Sequence, residues 1–261
     1  MKNNIQLKVI YRVSNKGRDK NKLPNATKEH CLENARDIFG LDCIHVIADN
    51  CSPDLVKFIK ETGFDYEETS LGNIGSFQYA LNNIISKIDD DCIVYMLEDD
   101  YLHLPDSKDI LLEGLQIADY VTLFDHNDSY MDRKDGGSPF NHGDIHRWRI
   151  MTTKSSHWRE LPSTTMTVAA KAKVFKEDAQ IWNDQPQKGI PKDFSTWMLL
   201  TKQRDMREIP YVYKNQKTAA LNIVKNWFSS RKARKLICPI PAHSTHADLG
   251  YESPCVDWSR I

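Results

Sequence analysis

No stretch of the chain approaches the roughly 18 consecutive apolar residues that a membrane-spanning helix needs, so no transmembrane segment is expected. The first residues, MKNNIQLKVIYRV, lack the apolar core of a secretion signal and enter a strand-like pattern almost at once, which argues against a signal peptide. The six cysteines (Cys31, Cys43, Cys51, Cys92, Cys238 and Cys255) include no CxxC pair and are widely scattered. That excludes a zinc cage and a disulfide frame, and predicts reduced thiols in a cytoplasmic protein. Excess charge of either sign is also missing, since the formal net charge is −1. Nucleic acid is therefore not an expected partner. There are no internal repeats, low-complexity tracts or linker-like stretches, and 261 residues suffice for one α/β domain with a sizeable core.

What is present alternates. LKVIYRV (7–13) and CIHVIAD (43–49) read as buried strands. Between them, 26–39 carries Cys31, Ala35, Ile38 and Phe39 at helical spacing, and Gly40 follows as a stop. LVKFIKETG (55–63) predicts a second helix, and FQYALNNIISKI (77–88) a third, preceded by Gly72-Asn73-Ile74-Gly75-Ser76. A strand at 93–97 completes a βαβα series, which implies a mostly parallel sheet with right-handed crossovers. Further on, KDILLEGLQIAD predicts a helix, YVTLF (120–124) a strand, TTMTVAAKAKVFKEDAQIW a strand feeding a helix, and DFSTWMLLTKQR a helix that opens near Asp193.

The apolar run Ile93–Leu97 passes directly into Glu98, Asp99 and Asp100. Acids at the C-terminal end of a buried strand sit at the crevice where open α/β sheets bind ligands. Three carboxylates this close repel one another unless a cation or a ligand's donors share the site. Two readings stand: a divalent-metal and nucleotide-phosphate site, or a helix cap or solvated turn, where Asp is also favoured.

In order and spacing, these motifs resemble the GT-A glycosyltransferases, nearest to glycosyltransferase family 2 and relatives with a Glu-Asp-Asp motif. The resemblance covers about residues 5–200 and implies a Rossmann-like single domain over 1–261. It divides into a nucleotide-sugar-binding half (1–104), an acceptor-binding half (105–235) and a tail (236–261) closing the metal site. IADNCSPD is similar to the family's second-strand end, implying that Asp49, with Ser52 and Asp54 behind it, meets the nucleobase or ribose. Val13, Gly72 and Asn73 fall in its donor-binding segments. LEDDYL stands where the family carries Asp-x-Asp, with Glu98 replacing the first Asp. By that likeness Asp100 ligates Mn2+ or Mg2+, Asp99 orients the ribose or the metal's waters, and Glu98 touches the donor. GIPKDFSTWML places Asp193 where the family has its catalytic base, with Lys192 in the position usually held by Glu. A plain helix-terminal acid is the competing reading, and Asp178 and Asp184 are further base candidates. The likeness favours a C-terminal histidine as a metal ligand, His246 first and His243 second.

The resemblance thus implies inverting, metal-dependent transfer from a nucleotide-diphosphate sugar to a glycan or other hydroxyl acceptor. A nucleotidyltransferase acting on a sugar phosphate, which wants a phosphate loop with Lys or Arg after the first strand, is the alternative. A noncatalytic nucleotide-binding module is the third. The basic run Lys225, Arg231, Lys232, Arg234, Lys235 reads as a solvated face, a diphosphate clamp, or a peripheral membrane contact with Trp227 and Phe228. Trp148, Trp158 and Trp197 are either core or a sugar-stacking wall, and His142, His146 and His157 are left as structural or acceptor-side.

Overall fold

A computed structural model describes residues 6–16, 21–138, 149–184, 192–202, 209, 212 and 217–261. The two most apolar runs, β1 (Leu7–Val13) and β4 (Ile93–Glu98), pair in parallel at the middle of the sheet and are buried almost throughout. β2 (Ile44–Asp49) lies on the other side of β1, and β3 (Asp65–Thr69) lies outside β2, both parallel to it. The remaining strands are β6 (Tyr120–Val121), β7 (Ile150–Thr152), β8 (His157–Glu160), β9 (Val168–Lys171) and β10 (Leu236–Ile240). They extend the sheet to the order β3-β2-β1-β4-β9-β6-β10-β8-β7. Following the pairings across it, only β9 and β8 run against the others. The α/β class and the mostly parallel sheet expected from the alternation are therefore what the chain forms.

Alternate residues along each strand feed two apolar layers. Val9, Tyr11, Tyr95 and Leu97 pack against Leu32 and Phe39 of α1 (Lys28–Phe39), Leu55 and Ile59 of α2 (Pro53–Thr62), and Leu111 of α4 (Ser107–Gly114). Ile10, Val94 and Met96 face the other way. There they meet Phe77 of α3 (Gly72–Tyr79), Phe175 of α5 (Ala172–Glu177), Trp182 of α6 (Ala179–Asn183) and Trp197 of α7 (Asp193–Thr201). Outside α7 packs α8 (Lys217–Trp227), through Met198, Ile223 and Trp227.

The helix ends follow local chemistry. Thr27 accepts a hydrogen bond from the His30 N–H and Ser52 accepts one from Leu55, so each caps the helix that follows. Pro53 occupies the first turn of α2, which starts two residues before the apolar pattern suggests, and Gly63 closes it in the left-handed region at φ 85°. The expected helix at 77–88 instead begins at Gly72, passes through a π-helical turn at Ala80–Ile84 and ends in a 3-10 turn at Ile85–Lys87. The strand expected at 120–124 stops at Val121, because the Leu123 carbonyl turns to accept the His243 and Ser244 N–H groups.

β4 and β1 mark the topological switch point. The chain moves outward from β1 through β2 to β3, then returns to the other side of β1 as β4. That leaves an open crevice beyond their C-terminal ends. Two short segments build over it: β5 (Tyr101–His103), just after the acidic turn, and β11 (Ser244–His246), which pairs with β5 antiparallel. The 236–261 segment thus contributes a sheet strand first and reaches the crevice afterwards.

Gly114, at the end of α4, allows that helix to close on β8. A Cβ there would lie 2.5 Å from the Trp158 ring and 3.0 Å from Val121. Gly114→Ala is expected to destabilise the fold by about 1–3 kcal/mol through overpacking, measured as a lower midpoint in thermal or urea denaturation.

Several sequence expectations are corrected here. Trp158 and Trp197 are fully buried core residues and cannot stack a sugar; Trp148, His142 and His146 lie outside the described residues. Arg231 and Arg234 do not serve a diphosphate. Arg234 Nε donates to Asp178 Oδ2 at 2.8 Å, and Arg231 Nη1 lies 3.4 Å from Asp178 Oδ1. Asp178 also accepts from the Tyr120 hydroxyl, at the N-terminal end of β6 and away from the crevice, so it is no candidate for the base. Lys225, Lys232 and Phe228 remain exposed, Phe228 to 86 %.

Candidate functional site

Each of the three acids leaving β4 meets a different cation. Glu98 Oε1 lies 3.1 Å from Arg12 Nη2, one strand over on β1. Asp99 Oδ2 accepts from the Ser14 N–H at 2.8 Å and from Lys28 Nζ at 2.5 Å. Asp100 Oδ2 lies 3.1 Å from Lys22 Nζ and 3.3 Å from His246 Nε2. The repulsion implicit in the sequence is answered by cations from β1, the loop after it and the first turn of α1.

Arg12 is the least accessible of these cations, at 5 % exposure. Its Nη1 donates to the Asn73 carbonyl at 2.9 Å, to Asn73 Oδ1 at 3.0 Å and to Ser76 Oγ at 3.3 Å. The guanidinium lies over the Phe77 ring, 5.3 Å from its centroid. Arg12 therefore fixes the first turn of α3 to the end of β4. Burial raises the pKa of Glu98, with Arg12 opposing and Asp100 adding to the rise. Thr167 Oγ1 donates to its other oxygen at 3.3 Å.

Asp193 opens α7, at the edge of this arrangement. Its Oδ1 is buried with no hydrogen-bond partner among the described residues. Burial pushes its pKa up to about 7; the Glu98 charge adds to the rise and Arg12 opposes it. A carboxyl of this kind holds or takes a proton near neutral pH.

The C-terminal segment supplies the third side. In β11 His246 pairs with Tyr101, and its imidazole meets the Tyr101 ring edge-on at 5.2 Å. His246 Nδ1 lies 3.4 Å from Asp248 Oδ2. Asp100, His246 and Asp248 thereby offer two carboxylate oxygens and an imidazole nitrogen, all within 4.8 Å of one another. Mn2+ accepts such a set, being hard enough for oxygen and tolerant of imidazole. The donors present fit the metal that the resemblance implies. His243 sits outside the cluster, with Nδ1 2.9 Å from Asp106 Oδ1. In extended chain, residues three apart point to opposite faces, so His243 and His246 cannot both serve one ion.

The remaining donor-side positions are spent within the protein. Asp49 accepts from Thr69 Oγ1 at 2.9 Å, Leu71 N–H at 2.5 Å, Gly72 N–H at 2.9 Å and Asn50 Nδ2 at 2.8 Å. It ties β2 to the entry of α3. Asn73 serves Arg12, and the Val13 carbonyl accepts from the Cys51 thiol at 3.4 Å. Asp184, at the end of α6, is exposed. A surface cavity of about 460 Å3 at the far edge of the sheet, lined by Arg149, Ile150 and Lys235 among others, shares no residue with this site.

No protein-family model and no curated protein matches the chain. Its similarity to solved structures is one of overall fold. CMP:2-keto-3-deoxy-manno-octonic acid synthetase complexed with CTP aligns over 89 % of this chain and 88 % of its own, at 11 % identity and TM-score 0.47. For 4-diphosphocytidyl-2C-methyl-D-erythritol synthase from Anaerococcus prevotii the coverage is 85 % and 96 %, with 9 % identity and TM-score 0.46. The glycosyltransferase GlyE of Streptococcus pneumoniae aligns over 89 % of this chain and 54 % of its own, at 15 % identity and TM-score 0.36. Residue roles are not carried over from these likenesses.

The cations and Asp248 were not among the residues expected at the site. Asp248 stands two residues beyond His246, the spacing that puts side chains on one face of an extended segment, so its signal was in the sequence. Arg12 reads as an interruption of an apolar strand, and Lys22 and Lys28 as ordinary loop and helix charges.

Proposed function

We propose that the chain is a metal-dependent transferase moving a sugar from a nucleotide-diphosphate sugar to an acceptor hydroxyl, with inversion. The observation that carries this reading is the convergence, at one sheet crevice, of the Asp100–His246–Asp248 donor set and Asp193, a buried carboxyl with a pKa near 7. A bound divalent ion supplies charge neutralisation to the departing diphosphate. Asp100, His246 and Asp248 hold it. Asp99, fixed by Ser14 and Lys28, orients the donor beside it. Asp193 takes the proton of the acceptor hydroxyl, for which an ionised carboxylate in hydrogen-bond reach suffices. Glu98, held by Arg12 and Thr167, adds negative charge that keeps the proton affinity of Asp193 high.

A second reading, transfer of a nucleotidyl group to a sugar phosphate, is favoured by Lys22 and Lys28. They come from the loop and helix after β1 and reach the strand-end acids, as a triphosphate-binding loop would. A screen of nucleotide sugars with Mn2+ separates the two. Release of UDP or GDP from one donor is the expected result, whereas pyrophosphate formed from a nucleoside triphosphate and a sugar phosphate would establish the second reading instead. A chain that binds nucleotide and turns over neither would be a noncatalytic module.

A further inference from the structure

Lys22 occupies a position that neither reading of the acids requires. Its Nζ lies 3.1 Å from Asp100 Oδ2, the same oxygen that faces His246 Nε2 at 3.3 Å. The pair is mostly buried, with Lys22 25 % and Asp100 13 % exposed at the side chain. The backbone sets this contact. Lys22 and Asp248 form an antiparallel bridge, Leu23 N–H donates to the Ala247 carbonyl at 2.9 Å, and Leu249 N–H donates to the Asn21 carbonyl at 2.9 Å. Ala247 N–H in turn donates to the Asp100 carbonyl at 2.8 Å. The segment carrying Lys22 is thus stitched to the segment carrying His246 and Asp248, and that segment is stitched to the acidic turn. An ammonium and a divalent ion cannot share Asp100 Oδ2 without strong repulsion at this distance.

We propose that Lys22 changes partner during binding: it neutralises Asp100 while the cluster is metal-free, and pairs with the ligand's diphosphate once a divalent ion holds Asp100. This rests on the cluster being the metal site, as proposed above. The side chain needs only to rotate about its stem, because its backbone is pinned to the tail. An anionic diphosphate at the metal is then the nearest charge able to replace Asp100 as its partner.

The test is one substitution read in two directions. Lys22→Met keeps the length and apolar stem and removes the charge. Mn2+ alone, titrated by the loss of its free-ion EPR signal, is expected to bind about tenfold tighter to Lys22→Met than to the unsubstituted protein. Inorganic pyrophosphate, titrated at saturating Mn2+, is expected to bind about tenfold weaker. Lys22→Arg keeps the charge and should return both affinities towards the original values. A loss of structure would weaken both ligands together, so opposite shifts distinguish the exchange from a packing defect. Mn2+ binding that is unchanged or weaker in Lys22→Met overturns the inference while leaving the metal site standing, provided Asp100→Asn abolishes that binding. Absence of Mn2+ binding in the unsubstituted protein overturns both.

Discussion

Asp100→Ala should eliminate metal-dependent donor binding. Asp100 is the member of the Asp100–His246–Asp248 set that comes from the sheet itself, placed by the turn between β4 and β5. The other two arrive on the tail that pairs with β5. Truncation to alanine removes one of two carboxylates from the set and leaves an imidazole and Asp248, too few hard donors for Mn2+. Outer partners of metal ligands alone typically account for 10–100-fold in affinity, so loss of a ligand should exceed about 100-fold. The fold should survive. The Asp100 carbonyl, which accepts the Ala247 N–H, is unaffected. The side-chain cost is a partly exposed ion pair with Lys22, worth on the order of 1 kcal/mol or less. Calorimetric titration of donor with and without Mn2+ makes the measurement, with Asp106→Ala beside His243 as the control expected to behave like the unsubstituted protein. Unchanged donor affinity and metal response in Asp100→Ala would remove the acidic turn from the site.

How far this arrangement could be read from residues alone depends on what each feature owes to its neighbours. β1, β2 and β4 are legible because strands buried on both faces must be apolar throughout, and Thr27, Ser52-Pro53 and Gly63 mark helix ends by local hydrogen bonding and backbone freedom. β3 is not legible: DYEET is polar because it forms one edge of the sheet, where charge discourages further pairing. β5 and β11 have three residues each and find one another across most of the chain, a pairing no local pattern encodes. β8 carries Arg159, whose charge meets the buried Asp125, so its sequence HWRE does not alternate as a strand should. The acids of the site were visible as a run of like charge after an apolar strand. Their cations were not, since Arg12, Lys22 and Lys28 acquire meaning only when β1 is laid beside β4. Asp193 stood out by resemblance alone; what makes it chemically distinct, an orphaned buried oxygen near Glu98, is a product of tertiary burial.

Asp193→Asn should leave donor and metal binding intact while transfer falls by roughly 100- to 10,000-fold, the usual contribution of a positioned general base. The substitution is close to isosteric and removes the group able to take the acceptor's proton. It also removes a charge that burial penalises, and that fixes the sign of the stability change. A carboxyl whose folded pKa is raised binds a proton more tightly when folded than when unfolded, so the folded state loses stability as pH rises from the ordinary carboxylate range, near 3.8, through about 7. Above that window the ionised Asp193 is a net cost. The asparagine variant should therefore be at least as stable as the unsubstituted protein at pH 8, and its inactivity there cannot be ascribed to unfolding. The same ionisation shapes the rate. With Asp193 as base, kcat of the unsubstituted enzyme should rise with pH along a limb whose midpoint lies near 7, well above an ordinary carboxylate, because only the deprotonated form accepts the proton. Arg12→Met would shift that limb upward, since Arg12 is the cation that opposes the rise. Normal turnover in Asp193→Asn, or an acid limb near pH 4 in the unsubstituted enzyme, would place the base elsewhere, whereas a limb near 7 that disappears in the variant ties the proton transfer to this one buried carboxyl.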